Sequence, residues 1–128
     1  DTDGTLPHEV KRNGGRSGIW YSHFCLMPQT IAGEILKQNG LDLYKYESPN
    51  GRTLEAAYHK IAYWTTRPKE FHYWDGPLDQ LGGRTYYSYF EILNLMWPDE
   101  HATKGLVETR PKTANHSTPF LTLTHGGF

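Results

Sequence analysis

Lys11, Arg12 and Arg16 stand together in a stretch where, from Val10 to Gly33, every formal charge is positive. Gly14 and Gly15 lie inside this group, and Trp20, Tyr21 and His23 follow it closely. Guanidinium forks beside aromatic rings suit an anionic sugar or a phosphate, because the cation meets the acid while the ring meets the apolar face. The plain alternative is a solvated loop whose cations are balanced by Asp1, Asp3 and Glu9.

Other patterns carry less. Asp1-Thr2-Asp3-Gly4 opens like a calcium loop, but Leu6 stands where that loop needs Gly and Arg12 where it needs Glu. The seven histidines (His8, His23, His59, His72, His101, His116 and His125) form no His-x-x-x-His or His-Glu-x-x-His pair. No metal is called for, and no cofactor. Asp3 with Glu9, or Asp75 with Asp79, are the carboxylate pairs that hydrolysis of a glycosidic bond would need, and nothing in their spacing singles out either. Gly82-Gly83-Arg84 lacks the lysine and preceding strand of a phosphate loop, and Asn115-His116-Ser117 is a glycosylation sequon with no context to support it.

The elements that would position these residues read as helices. Phe24, Met27, Ile31 and Ile35 recur at helical steps between Ser17 and Gln38, with Gly40 as the stop and Pro28 as a kink or a late start. Thr53 caps a second helix of about 13 residues whose apolar face is Leu54, Ala57, Tyr58, Ile61 and Ala62, ending before Arg67-Pro68. An aromatic loop, Phe71-His72-Tyr73-Trp74, follows. A third helix is expected from Thr85 to Trp97 and a short one within 98–110. Phe120-Leu121-Thr122-Leu123 has a fragment of strand pattern inside a tail expected to be extended. The expected class is all-α, with long loops.

The 128 residues form one segment with 37% hydrophobic residues, a thin apolar share offset by 9 Tyr, 4 Trp and 5 Phe. A net charge of −1 argues against a general nucleic-acid binder. No apolar run is long enough to cross a membrane as a helix, so no membrane partner is expected. The single cysteine, Cys25, excludes an internal disulfide. Asp1 opens with neither an initiator Met nor a signal peptide, and three amphipathic stripes call for further helices. Three readings stay open at this point: a mature chain, a proteolysed one, or the later part of a longer polypeptide.

The run Asp3-Gly4-Thr5-Leu6-Pro7-His8-Glu9-Val10-Lys11-Arg12, followed by Ile19-Trp20-Tyr21-Ser22-His23-Phe24, resembles the alginate lyase superfamily. It is most similar to the polysaccharide lyase family 5 mannuronate lyases and their glucuronan-cleaving relatives. Those proteins carry an acidic Gly-x-Leu-Pro run ending in Arg, then a Tyr segment that opens a helix, an Ala-Glu pair and a turn. Ala32-Gly33-Glu34 and Gly40-Leu41-Asp42-Leu43-Tyr44 match the last two, and Gly126-Gly127 matches a terminal Gly-Gly segment.

The resemblance implies an α/α barrel, a toroid of antiparallel helix pairs, of which this chain is the C-terminal half. The missing N-terminal half would bring an Asn-His motif and a further Tyr. Asn115-His116 lies after the Tyr segment and does not take that role. The resemblance implies that Arg12 neutralises the uronate carboxylate and that Tyr21 acts as acid and base. Because Asn13-Gly14-Gly15 lengthens the interval by two residues, Arg16 is a rival for the arginine role. Lys11, Arg16, Trp20 and His23 are expected to bind substrate. The implied partner is an anionic polysaccharide, and the implied location is periplasmic or secreted.

The chemistry accounts for these residue types. A uronate lyase removes the C5 proton beside a carboxylate and expels the group on O4. The charged carboxylate makes that proton very weakly acidic, so a fixed cation must offset the charge and stabilise the enolate-like intermediate. Arginine, always protonated and able to fork onto a carboxylate, does this. A base takes the C5 proton and an acid serves O4. The alternatives are a carbohydrate-binding module using the basic loop and the Phe71–Trp74 loop, or an inverting glycosidase on a helical toroid.

Overall fold

The computed structural model describes residues 1–83, 87–111 and 120–126. Among these, every regular element is helical: α1 (Gly18–Gln38), α2 (Leu54–Thr66), α3 (Phe90–Met96), α4 (Glu100–Thr109) and α5 (Leu121–His125), with short 3-10 turns between them. The all-α class holds.

α1 begins and ends where the sequence places it. It runs through Pro28 without breaking. It closes at Asn39, where the Gly40 and Leu41 amides donate to the Lys37 and Leu36 carbonyls in a Schellman arrangement. The buried face differs from the expected one. Ile19, Ser22, His23, Leu26, Met27, Thr30 and Gly33 face inward, whereas Phe24 is 52% and Ile35 59% exposed. Inward polar groups are satisfied within the helix: Ser22 donates to the Gly18 carbonyl at 2.8 Å and Thr30 to the Leu26 carbonyl at 3.0 Å. Small hydrogen-bonded residues then let the neighbouring elements approach, and the larger apolar ones turn outward.

The Thr53 hydroxyl caps α2 by accepting from the Ala56 amide at 3.1 Å. α2 is the central helix, packed on both α1 and α4. It buries Ala57, Tyr58, Ile61, Ala62, Trp64 and Thr65, including most of the face read from the sequence. The expected helix over 85–97 is shorter: α3 starts at Phe90, after a turn through Tyr87–Tyr89, and residues 84–86 lie outside those described. The short helix anticipated within 98–110 is α4, capped by Asp99, whose carboxylate accepts from the His101 and Ala102 amides. The strand fragment at Phe120–Leu123 is a helical turn, α5, and no strand among the described residues offers it a partner. Residues 112–119 and 127–128 of the tail, with the sequon and the second Gly of the Gly-Gly pair, lie outside those described.

The buried residues form two clusters. The larger joins α1, α2, α3 and α4 around Leu26, Tyr58, Ile61, Phe90, Leu93 and Leu106. The smaller gathers Val10, Ile19, Trp64, Phe71 and Leu81. It fixes the N-terminal loop, the start of α1 and the Phe71–Gly83 segment against one another.

The N-terminal turn is tied down at Asp3. The Thr5 amide above all, opposed by the cost of burial and helped by the Thr5 hydroxyl and the Lys60 ammonium, holds the Asp3 carboxyl at about 2. A carboxyl depressed in the folded state contributes stability above its unfolded value and loses it as pH falls through the folded one. The Asp3 carboxyl is therefore expected to titrate near pH 2 by NMR, with the turn loosening between about pH 4 and 2. A midpoint near the ordinary value of about 4 contradicts this anchoring.

Candidate active site

The basic loop is a strained turn that delivers its arginines to the first turn of α1. Val10 is fully buried and anchors the approach. Asn13, Gly14 and Gly15 all take positive φ, and the Arg16 and Ser17 amides return to the Asn13 and Arg12 carbonyls. Gly15, at φ +91°, is pressed on the Phe71–Trp74 loop: a Cβ there would lie 1.7 Å from the Tyr73 carbonyl oxygen. The loop can hold this shape only with glycine at that point.

Arg12 and Tyr21 come together across this turn. The Arg12 guanidinium lies 4.9 Å from the centre of the Tyr21 ring, a cation–π contact, while its Nε donates to Glu9 Oε2 at 3.3 Å. Arg12 remains 54% exposed, so its outer edge can meet a ligand. Trp20 packs edge-on against Tyr21, with ring centres 4.8 Å apart, and against Phe24. Tyr21 and Trp20 are each partly exposed, and Lys11 is exposed. Arg16 is held separately: its Nε donates to the Gln80 carbonyl at 3.2 Å, and its own carbonyl accepts from the Gly82 amide at 3.0 Å.

His23, expected to bind substrate, is fully buried. Both ring nitrogens are taken, Nδ1 with the Tyr89 hydroxyl at 2.8 Å and Nε2 with Thr65 Oγ1 at 2.8 Å. The Thr65 hydroxyl donates its own proton to the Ile61 carbonyl at 2.7 Å, so it accepts from His23. Nε2 therefore donates to Thr65, while Nδ1 pairs with the Tyr89 hydroxyl. Burial raises the Tyr89 phenol well above its usual range, which keeps it a donor. His23 therefore ties α1 to α2 and to the turn before α3.

The second wall of the site was not anticipated. Phe71, expected in an exposed sugar platform, is 1% exposed and packs on Trp64 in the smaller core. What the segment supplies is backbone: the Tyr73 carbonyl under Gly15, the Gln80 carbonyl on Arg16 and Gly83 against Trp20. Gly83, at φ +94°, would place a Cβ 2.3 Å from the Trp20 N and Cα atoms. The Gly82-Gly83 pair, dismissed as a phosphate loop, was the available signal for this close approach. Gly83→Ala is expected to cost roughly 1–3 kcal/mol through overpacking and to shift Trp20. Denaturant unfolding followed by tryptophan fluorescence measures both, and an unchanged midpoint contradicts the contact.

The carboxylate pairs do not assemble into an obvious hydrolytic site. Asp3 is committed to Thr5 and Lys60, and Glu9 to Arg12, while Asp75 and Asp79 are exposed on the loop. Among the described residues no group of three His, Cys, Asp or Glu side chains is placed to hold a metal ion. Among them, too, no helix is long and apolar enough to cross a membrane.

No curated protein and no solved structure matches the chain. The alginate lyase family model matches residues 1–71, a span that contains the basic loop, α1, α2 and the start of the second wall. That span covers more than half of the sequence and includes the Arg12–Tyr21 pair, and on it the chain belongs to the alginate lyase family.

Proposed function

We propose that this chain carries part of the active site of a polysaccharide lyase that cleaves a polyuronate, alginate-like or glucuronan-like, by β-elimination. The observation that carries the reading is the Arg12–Tyr21 contact within the family-matched span. Arg12 offsets the substrate carboxylate and the charge that builds on it as the C5 proton leaves. Tyr21, stacked beneath that guanidinium, takes the C5 proton and returns a proton to O4, as one phenol can where both groups lie on the same face. Arg16 is bound through Nε to a backbone carbonyl rather than to a ring, which suits it to hold a carboxylate and favours Arg12 as the neutraliser. Lys11 and Trp20 complete the binding surface. No cofactor is invoked, and the reaction is assigned to a periplasmic or secreted setting where such polymers are met.

We further propose that the chain forms the C-terminal half of an α/α barrel whose other half supplies the Asn-His motif. The outward apolar residues Phe24 and Ile35 on α1 favour a helical neighbour there. The test is product analysis after incubating the full-length polypeptide with a mannuronate or glucuronate polymer. A lyase gives unsaturated, ultraviolet-absorbing ends; reducing ends without that absorbance would mean a glycosidase, and neither would mean a binding module.

A further inference from the structure

Arg12 and Arg16 are tethered in the same way, each through Nε. Arg16 Nε donates to the Gln80 carbonyl, and Arg12 Nε donates to Glu9 Oε2 at 3.3 Å. Among the described residues neither Nη group of Arg12 makes a hydrogen bond or an ion pair, so the forked edge that suits a carboxylate is left open. The two tethers differ in charge. A carbonyl leaves Arg16 a full cation, whereas the Glu9 carboxylate offsets part of the Arg12 charge before any ligand arrives.

Glu9 is a firm base for such a tether. Its amide donates to the Leu6 carbonyl at 3.0 Å, and its carbonyl accepts from the Arg12 amide at 3.0 Å. The next residue, Val10, is fully buried and packs with Ile19 in the smaller core. The Val10 carbonyl is also pressed on Gly18, where a Cβ would lie 2.3 Å from its oxygen. The turn that carries Glu9 is thus pinned to the first turn of α1, which carries Tyr21. The Glu9 side chain is only 20% exposed. Burial pushes the Cys25 thiol up and the Glu9 carboxylate adds to it, which sets Glu9 beside the α1 face one turn beyond Tyr21.

We propose that Glu9 is a positioning residue for the Arg12–Tyr21 pair: it fixes the guanidinium over the phenol with the forked edge outward, and it tempers the charge offered to a bound uronate. The proposal rests on the polyuronate reading above and adds a division of labour to it. A partly offset Arg12 holds the ground-state carboxylate less tightly than a free arginine would. It acts most when negative charge builds on that group as the C5 proton leaves. An interaction that strengthens at that stage raises kcat rather than affinity.

The test compares Glu9→Ala and Glu9→Gln with wild type in the full-length polypeptide. Glu9→Ala frees the guanidinium and removes the offsetting charge. On a polyuronate its kcat is expected to fall roughly tenfold while KM falls about threefold. Glu9→Gln keeps an oxygen that accepts from Nε but carries no charge, so KM falls in the same way while kcat returns to within about threefold of wild type. A merely structural role would not lower KM and kcat together, nor let Gln restore kcat. A second readout needs no turnover. Proton exchange at Arg12 Nε, followed by NMR, is expected to quicken in Glu9→Ala and to stay near wild type in Glu9→Gln. Wild-type kcat in Glu9→Ala, a Glu9→Gln as slow as Glu9→Ala, or unchanged Nε exchange in Glu9→Ala would each overturn the proposal. A wild type that cleaves no polyuronate would sink the lyase reading by itself, and the Nε exchange would still decide whether Glu9 holds Arg12.

Discussion

Tyr21→Phe is expected to lower turnover on a polyuronate by roughly 10²–10⁴-fold while leaving the protein folded and substrate binding nearly intact. The substitution keeps the ring that Arg12 and Trp20 pack against and deletes only the hydroxyl. Loss of one phenolic hydrogen bond costs about 0.5–1.5 kcal/mol, too little to unfold a domain. The loss therefore appears in kcat. Arg12→Ala behaves differently: it removes the cation that meets the carboxylate in both ground and transition states, so binding and turnover fall together. Arg16→Ala should act chiefly on binding. Near wild-type kcat in Tyr21→Phe would reduce Tyr21 to a packing residue and leave the catalytic assignment without a proton carrier.

The largest expected effect on stability lies far from the site. Glu91 is 1% exposed, and its carboxylate is held by Arg110 at 2.9 and 2.6 Å and by the Thr122 hydroxyl at 2.7 Å. The carboxylate thereby joins α3 to the end of α4 and to α5. Removing one member of a buried pair leaves an uncompensated charge, which typically costs 3–5 kcal/mol. Arg110 is a quarter exposed and Thr122 still donates, so Arg110→Met is expected near the lower end, about 3 kcal/mol. Urea unfolding gives the magnitude, and hydrogen exchange should show α5 opening first. A midpoint shift of only a few tenths of a kcal/mol would mean that the pair is solvent-screened and that α5 is held by its apolar contacts instead.

Helix positions were legible because their punctuation is local. Gly40, Thr53, the Arg67-Pro68 pair and Pro98 each act through the backbone of the next few residues, and α1, α2 and α4 begin or end beside them. The faces were less legible. Periodicity assigns large apolar residues to the interior, yet α1 buries Ser22, His23 and Thr30 and exposes Phe24 and Ile35. A buried hydroxyl bonded to the carbonyl four residues back, or an imidazole bonded on both nitrogens, costs little, and no local pattern announces it. Glu91 and Thr122 are the same case across 31 residues. In the site, Arg12 and Tyr21 stand out by residue type and resemblance. The backbone packed on their neighbours Gly15, Arg16 and Trp20, at Tyr73, Gln80 and Gly83, comes from a distant loop in which the Gly82-Gly83 pair was the available signal.

The most direct measurement uses a polyuronate deuterated at C5. The full-length polypeptide is incubated with it, and newly formed non-reducing ends are analysed by mass spectrometry. β-Elimination breaks the C5–hydrogen bond in every cleavage, so each new end should lack the deuterium and carry a C4–C5 double bond. New ends that retain deuterium at C5 and are saturated would contradict the account, whatever the rate at which they form.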